Sequence, residues 1–378
     1  MIPAANDSSA AATISAAGRR LCRVKHLTTE LSGWRRWGVA TSLGAIAAAA
    51  LPPVHAVVLL VPTLTGLLWL IESGRGIRSA FAAGWWFGVG HFVVGFYWVA
   101  HSFLVDAARY GWLAPFAVAG LAASLALFPA AAAALSRWSF RFAVGSPPGR
   151  LLLSAAAWTA LEWVRGWILT GLPWNLIGSA WSFSVGVSQL AAVTGVYGLS
   201  LITFVVGASP ALAIDGGRYG GRQAAVAFIV FGLLWLGGVA RLPAEILGRV
   251  EGVRLRLVQP NIPQHLKWKP DLRAEHVRDL IRLSRQKPAD DLSPTHILWP
   301  ETAVPFNLVH DPAVLALLGG VVPTGGLLIT GAPRTSAPDD SERRVWNSLH
   351  AIAAGGVVAA TYDKVHLVPF GEYIPFRS

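Results

Sequence analysis

The chain has 378 residues, 54% hydrophobic and only 13% charged, with a mean hydropathy of +0.51; ordinary soluble domains carry about 25% charged residues, so that class is excluded and a membrane protein is expected. The formal charge of +11 does not mark a nucleic-acid binder, because the Arg residues punctuate long apolar runs without forming a continuous basic face; anionic lipid headgroups are the expected partners instead. One cysteine, Cys22, excludes an intramolecular disulfide and a multi-cysteine metal site.

The chain opens with a small, polar and basic arm, residues 1–36, that lacks the apolar core and cleavage site of a signal peptide. Membrane insertion therefore falls to the first spanning helix. Crossing the hydrocarbon layer as a helix takes about 20 apolar residues, since lipid offers the backbone no hydrogen-bond partners. Seven segments are read as spans within a helical membrane domain at 37–243: residues 37–51, 55–71, 80–105, 112–135, 151–169, 185–214 and 224–239. Lys and Arg collect in alternate connections, as cytoplasmic loops do. Arg19, Arg20, Arg23, Lys25, Arg35 and Arg36 precede the first segment, Arg75 and Arg78 follow the second, Arg137, Arg141 and Arg150 the fourth, and Arg218 and Arg222 the sixth. The other connections are nearly bare, with Arg109 alone after the third segment and no charge in 170–184. This pattern predicts a cytoplasmic N-terminus, seven crossings, and everything after about Arg241 on the outer face.

Within the fifth segment Glu162 and Arg165 lie three apart, on one helical face. Charges inside a membrane are costly and often functional; the alternatives are an internal ion pair or an Arg that reaches out to the headgroups. Residues 171–175, GLPWN, break the helix at Pro173 and suit a re-entrant or interfacial loop, with Trp174 at headgroup level.

From about residue 250 the texture changes to short β-rich runs alternating with polar helical stretches, the pattern of a water-exposed α/β domain over 250–378. Strands are predicted at 253–259, 296–301 and 326–333, and a hairpin is predicted from 348–354 and 357–364 around Gly355-Gly356. An amphipathic helix is predicted over 271–286, with Leu272, Val277, Leu280, Ile281 and Leu283 on its apolar face. Glu301 ends a strand after Trp299-Pro300 and reads either as a carboxylate held in a cleft or as a solvated surface acid. Lys364, after the last strand, reads either as a cation positioned for a developing oxyanion or as a surface lysine. Glu372 is a second acid or a loop hydrogen-bond partner. His366 has no second ligand at metal spacing and reads as structural.

Five strings, taken in order, resemble the apolipoprotein N-acyltransferase family of the nitrilase (carbon-nitrogen hydrolase) superfamily: GFYWVAHSF at 95–103, LEWVRGWILTGLPWNLIG at 161–178, LVQPNIPQHLKW at 257–268, ILWPET at 297–302, and YDKVHLVPFGEYIP at 362–375. The resemblance implies a polytopic α-helical membrane domain followed by a nitrilase-like αββα domain facing the periplasm of a bacterial inner membrane, with no cofactor and no metal. It implies acyl transfer from a membrane phospholipid to the amine of a diacylglyceryl-cysteine at an apolipoprotein N-terminus, through a thioester on the enzyme. Glu301 matches the family's general base, Lys364 the lysine that stabilises the oxyanion, and Glu372 the glutamate that orients it. Glu162, Arg165 and Trp174 are the candidates on the lipid side. The family's nucleophilic cysteine lies several dozen residues beyond the VPFGE string, whereas this sequence stops at Ser378. The expectation is an incomplete nitrilase-like domain without its nucleophile, inactive alone, since the charge pattern puts Cys22 on the cytoplasmic side. A non-catalytic membrane scaffold that binds lipids or lipoproteins is the alternative.

Overall fold

The computed structural model describes residues 22–23, 25–26, 28–243, 250–287, 292–337, 344–368 and 372–373. Arg19 and Arg20 of the expected basic arm, Pro369, Phe370 and Gly371 of the VPFGE string, and residues 374–378 lie outside them. The chain forms two compact units, Met1–Ala244 and Glu245–Ser378.

The first unit is helical. Its elements are α1 (Gly33–Ala48), α2 (Val57–Ser73), α3 (Ile77–Gly95), α4 (Ala107–Phe142), α5 (Pro147–Arg165), α6 (Ala191–Asp215) and α7 (Gly217–Ala240). Among the described helices α4, α6 and α7 are long and apolar enough to cross a membrane, and a fourth candidate arises if α3 is joined to Tyr97–Leu104 across a 51° bend. The other expected segments are helical as well, but α1 has 16 residues, α2 has 17, and α5 carries Arg150, Glu162 and Arg165. On α7, Val226, Ile229, Val230, Leu233 and Leu236 are exposed, which in a membrane protein is a lipid-facing surface.

Close helix packing holds this unit together, because lipid chains are as apolar as leucine and side-chain burial alone drives little association. At Gly90 of α3 an added Cβ would fall 2.0 Å from the carbonyl oxygen of Thr41 in α1, so only glycine permits that approach. An aromatic chain from Phe87 (α3) through Trp158 (α5) to Phe204 (α6), with ring centroids 5.8 and 5.7 Å apart, joins three helices in the core.

Arg35 and Arg36 require a correction. They were expected in the arm ahead of the first helix, but they lie inside α1. Arg36 is buried and donates to Ser73 Oγ at 3.0 Å and to the carbonyl of Leu70, so it satisfies one of the open C-terminal carbonyls of α2. Lys25 pairs with Asp215 at the end of α6, which ties the basic arm to the helices.

The second unit is a five-stranded mixed sheet in the order β1 (Leu255–Leu257), β2 (His296–Leu298), β3 (Leu327–Thr335), β4 (Val345–Ile352) and β5 (Val358–Asp363). The first three strands are parallel, and β3, β4 and β5 form an antiparallel meander. The expected hairpin is present, turning through Gly355 and Gly356 at φ 76° and 82°. Helix α8 (Arg273–Ser284) buries Val277, Leu280 and Ile281 against the sheet, each worth about 1.5–3 kcal/mol. A short helix, α9 (Pro312–Gly319), was not anticipated; its Asp311 N-cap accepts from the Val314 amide at 3.1 Å.

Candidate functional site

Glu301 stands where the chain leaves the C-terminal end of β2, the edge at which open α/β sheets carry their ligands. Parallel pairing to β3 fixes this end, since the Trp299 amide donates to the Ile329 carbonyl at 2.8 Å. A tight turn follows, closed by the Ala303 amide on the Pro300 carbonyl at 3.2 Å, with Thr302 at φ +50°. The turn lies directly on Gly331 of β3, where a Cβ would stand 2.9 Å from Glu301 Cα. That glycine is what lets the carboxylate sit against the sheet. Trp299 anchors the same corner from below, donating its indole N–H to Ser284 Oγ of α8 at 2.9 Å.

Lys364 is the first residue after β5, and its amide donates to the Asn347 carbonyl at 2.9 Å, which extends the ladder by one step. Just before it, Asp363 is held from two sides. Arg334 of β3 donates to both carboxylate oxygens at 3.0 and 2.6 Å, and Ser348 of β4 donates at 2.6 Å. The Arg334 guanidinium also covers the Trp346 ring, 3.8 Å from its centroid. The hydrogen bonds from Arg334 and Ser348 hold the Asp363 carboxyl below its usual range.

Three of the predicted residues meet at one point. The Lys364 ammonium lies 2.8 Å from Glu372 Oε1 and 3.6 Å from Glu301 Oε1. Glu372 also accepts from the Val368 amide at 2.8 Å through Oε2. Its hydrogen bond to Glu372 chiefly raises the Lys364 pKa. Burial pushes Glu372 up, but the hydrogen bonds from Lys364, the Val368 amide and Asn347 outweigh it, so this carboxyl titrates below its usual range. The Glu301 side chain is 66% exposed, against 35% for Lys364 and 22% for Glu372. The carboxylate is thus open to an incoming group, while the ammonium and second acid sit deeper. His366 is exposed beyond them.

Two residues at this point were missed. Asn347 of β4 donates from Nδ2 to Glu301 Oε1 at 2.5 Å and to Glu372 Oε1 at 2.9 Å. Lys267 donates to the Glu301 carbonyl at 3.3 Å; burial lowers its pKa and Glu301 partly counters that. Lys267 falls in the HLKW string already singled out, which was a usable signal. Asn347 carries no local pattern, and only the β4–β5 register brings it here.

In the membrane unit, Glu162 and Arg165 are both buried. No direct salt bridge joins them among the described residues, and Arg165 stays inside the protein; they are near enough for their charges to interact, while their hydrogen bonds go elsewhere. Both grip the loop after α5. Arg165 Nη1 donates to the carbonyls of Leu172 at 3.1 Å and Trp174 at 2.6 Å, and Glu162 Oε1 accepts from the Ile177 amide at 3.0 Å. His91 of α3 contacts the Asn175 carbonyl at 3.2 Å. The loop so held presents Trp174, exposed, with its ring 5.3 Å from that of Trp98.

Residues 43–209 match the family model described as apolipoprotein N-acyltransferase N-terminal domain. The chain is 38% identical over 362 residues to the apolipoprotein N-acyltransferase of Rhodopseudomonas palustris, an alignment covering 92% of this chain and 66% of the relative. Against the protein of the same name from Brucella suis it is 38% identical over 364 residues, covering 92% and 67%. The chain belongs to the apolipoprotein N-acyltransferase family. The protein of that name from Allorhizobium ampelinum is 39% identical over 363 residues, covering 92% of this chain and 67% of the relative. The chain spans about two thirds of the length of the curated relatives it matches. Family membership together with the apolar helices marks it as a bacterial inner-membrane protein.

Proposed function

We propose that this chain carries the membrane unit and the base-and-ammonium part of an enzyme that moves a fatty acyl group from a membrane phospholipid to the N-terminal amine of a diacylglyceryl-cysteine on an apolipoprotein. The observation that carries this reading is the meeting of Glu301 with Lys364 and Glu372, which lie far along the chain from it, at one solvent-open point. Glu301 takes the proton from a thiol, and the thiolate attacks the ester carbonyl carbon of the phospholipid. The negative charge that develops on the carbonyl oxygen is stabilised by Lys364, which Glu372 orients. Collapse expels the lysophospholipid oxygen, reprotonated from Glu301, and leaves a thioester. The acceptor amine then attacks the thioester, forms the amide and returns the thiol.

The remaining elements fit this chemistry. The alternate basic connections support seven crossings with a cytoplasmic N-terminus, and thereby a nitrilase-like αββα domain on the outer face, where both lipid-anchored substrates are met. Glu162 and Arg165, by fixing the loop that bears Trp174, provide an aromatic edge on the lipid side. The only cysteine of the 378 residues is Cys22, in the membrane unit.

Incubating the native gene product, purified from membranes, with radiolabelled phospholipid tests the reading. Acyl label that hydroxylamine removes is expected on the protein, falling about 10²–10⁴-fold in Glu301→Gln and about 10²–10³-fold in Lys364→Met. A folded, unlabelled native protein would overturn it. The exposed Trp174 on its anchored loop would also suit a second reading, a non-catalytic scaffold for lipids or lipoproteins; a diacylglyceryl peptide that binds but is never acylated would establish that instead.

A further inference from the structure

We propose that Asn347 is a positioning residue, whose side-chain amide holds the Glu301 and Glu372 carboxylates side by side around the Lys364 ammonium. The inference rests on the acyl-transfer reading for its consequence and on the geometry for its substance. Two nitrogens, Asn347 Nδ2 and Lys364 Nζ, address the same two oxygens, Oε1 of Glu301 and Oε1 of Glu372. The amide stands 2.5 and 2.9 Å from them, and the ammonium 3.6 and 2.8 Å. An amide nitrogen carries two hydrogens, and it finds two acceptors here. Ionised carboxylates only accept, which fixes the orientation of the amide with its nitrogen toward the pair.

Two carboxylates sharing a site repel, and one of them is ordinarily forced to take up a proton. A single ammonium between them relieves this only partly, and in the proposed reaction its charge must be left to the oxyanion. A neutral donor resolves the conflict. It stabilises both anions through hydrogen bonds without bringing a second positive charge to the site, and leaves Lys364 nearer Glu372 than Glu301. The backbone of the same residue receives the Lys364 amide at 2.9 Å, so Asn347 sets the position of the lysine as well as that of the acids. Its own place is fixed by rigid neighbours in β4. Trp346 on one side lies under Arg334, and Ser348 on the other donates to Asp363.

Proton binding, read by NMR on the purified chain with ¹³C-labelled glutamate carboxyls and with Glu372 assigned through Glu372→Gln, tests this without turnover. Asn347→Leu is expected to move the Glu372 midpoint upward by about half a pH unit or more, the partial exposure of the site limiting the effect. Asn347→Gln should restore most of that shift, and Asn347→Asp, by adding a third anion, should exceed it. In the native gene product Asn347→Leu should also lower acyl-thioester formation about tenfold, with little change in the half-saturating phospholipid concentration. An unmoved Glu372 midpoint in folded Asn347→Leu overturns the proposal; if that variant does not fold, equal midpoints in the Gln and Asp variants do so. A shifted midpoint with unchanged acyl transfer would support the hydrogen-bonded geometry and overturn its consequence for catalysis, whereas a shifted midpoint in a native protein that shows no acyl transfer would count against the acyl-transfer reading alone.

Discussion

The lysine of the site takes its place from a neighbour that does no chemistry. Asp363 is gripped by Arg334 and Ser348, and this bidentate lock fixes the backbone from which Lys364 projects. Its acid dependence follows from sign. The folded-state pKa of Asp363 is lowered, so the stability it contributes is present above the unfolded carboxylate value of about 4 and is lost as pH falls through the lower folded value. Lys364 works in the opposite sense. Its pKa is raised, so its contribution is present below about 10 and is lost as pH rises through the folded value. Thermal melts of the second unit in the purified protein, followed by near-UV absorbance between pH 2 and 5, are expected to show a loss of stability on acidification that Asp363→Asn largely removes. A melting curve with the same acid dependence in that variant would mean other carboxyls dominate.

Loops are held by elements on both sides of the molecule's division, in two different ways. Beside β2, a turn carries Glu301, and the absence of a side chain at Gly331 lets it pack on β3. After α5, a loop carries Trp174, and buried charge does the holding, since Arg165 satisfies two carbonyls that would otherwise lack partners. Arg165→Leu should leave both carbonyls unpaired, at about 1–3 kcal/mol each. Limited proteolysis in detergent is expected to cut within 171–177 in this variant and to spare the parent. Equal resistance would mean that His91 and Glu162 suffice to hold the loop. The sequence drew attention to Glu162 and Arg165 because membrane charges are rare, but it could not say what they bind. Helical spacing put them on one face and suggested they pair with each other; α5 in fact ends at Arg165, well before Pro173, and their hydrogen-bond partners are backbone groups of the loop that follows.

At the scale of the whole chain, the alternating basic connections make a claim that does not depend on any one helix. A reporter enzyme active only outside the cytoplasm, fused at residue 250, is expected to be active, and the same reporter fused after Arg78 to be silent. The reverse pattern would invert the orientation and remove the outward site from the proposal. The apolar runs, the basic punctuation, the strand-to-helix alternation after residue 250 and the strings that carry Glu301, Lys364 and Glu372 were all legible in the sequence. Each depends on local composition or on an ordered string of residues. Folding alone decided that Arg36 caps α2, that Arg165 and Glu162 turn to a loop rather than to each other, and that Asn347 joins both acids. The Arg36 and Asn347 contacts link residues distant in the chain and are set by helix packing and strand register, which no short window of sequence contains; those of Arg165 and Glu162 are local, but they depend on the path the loop takes after α5, which residue types alone do not specify.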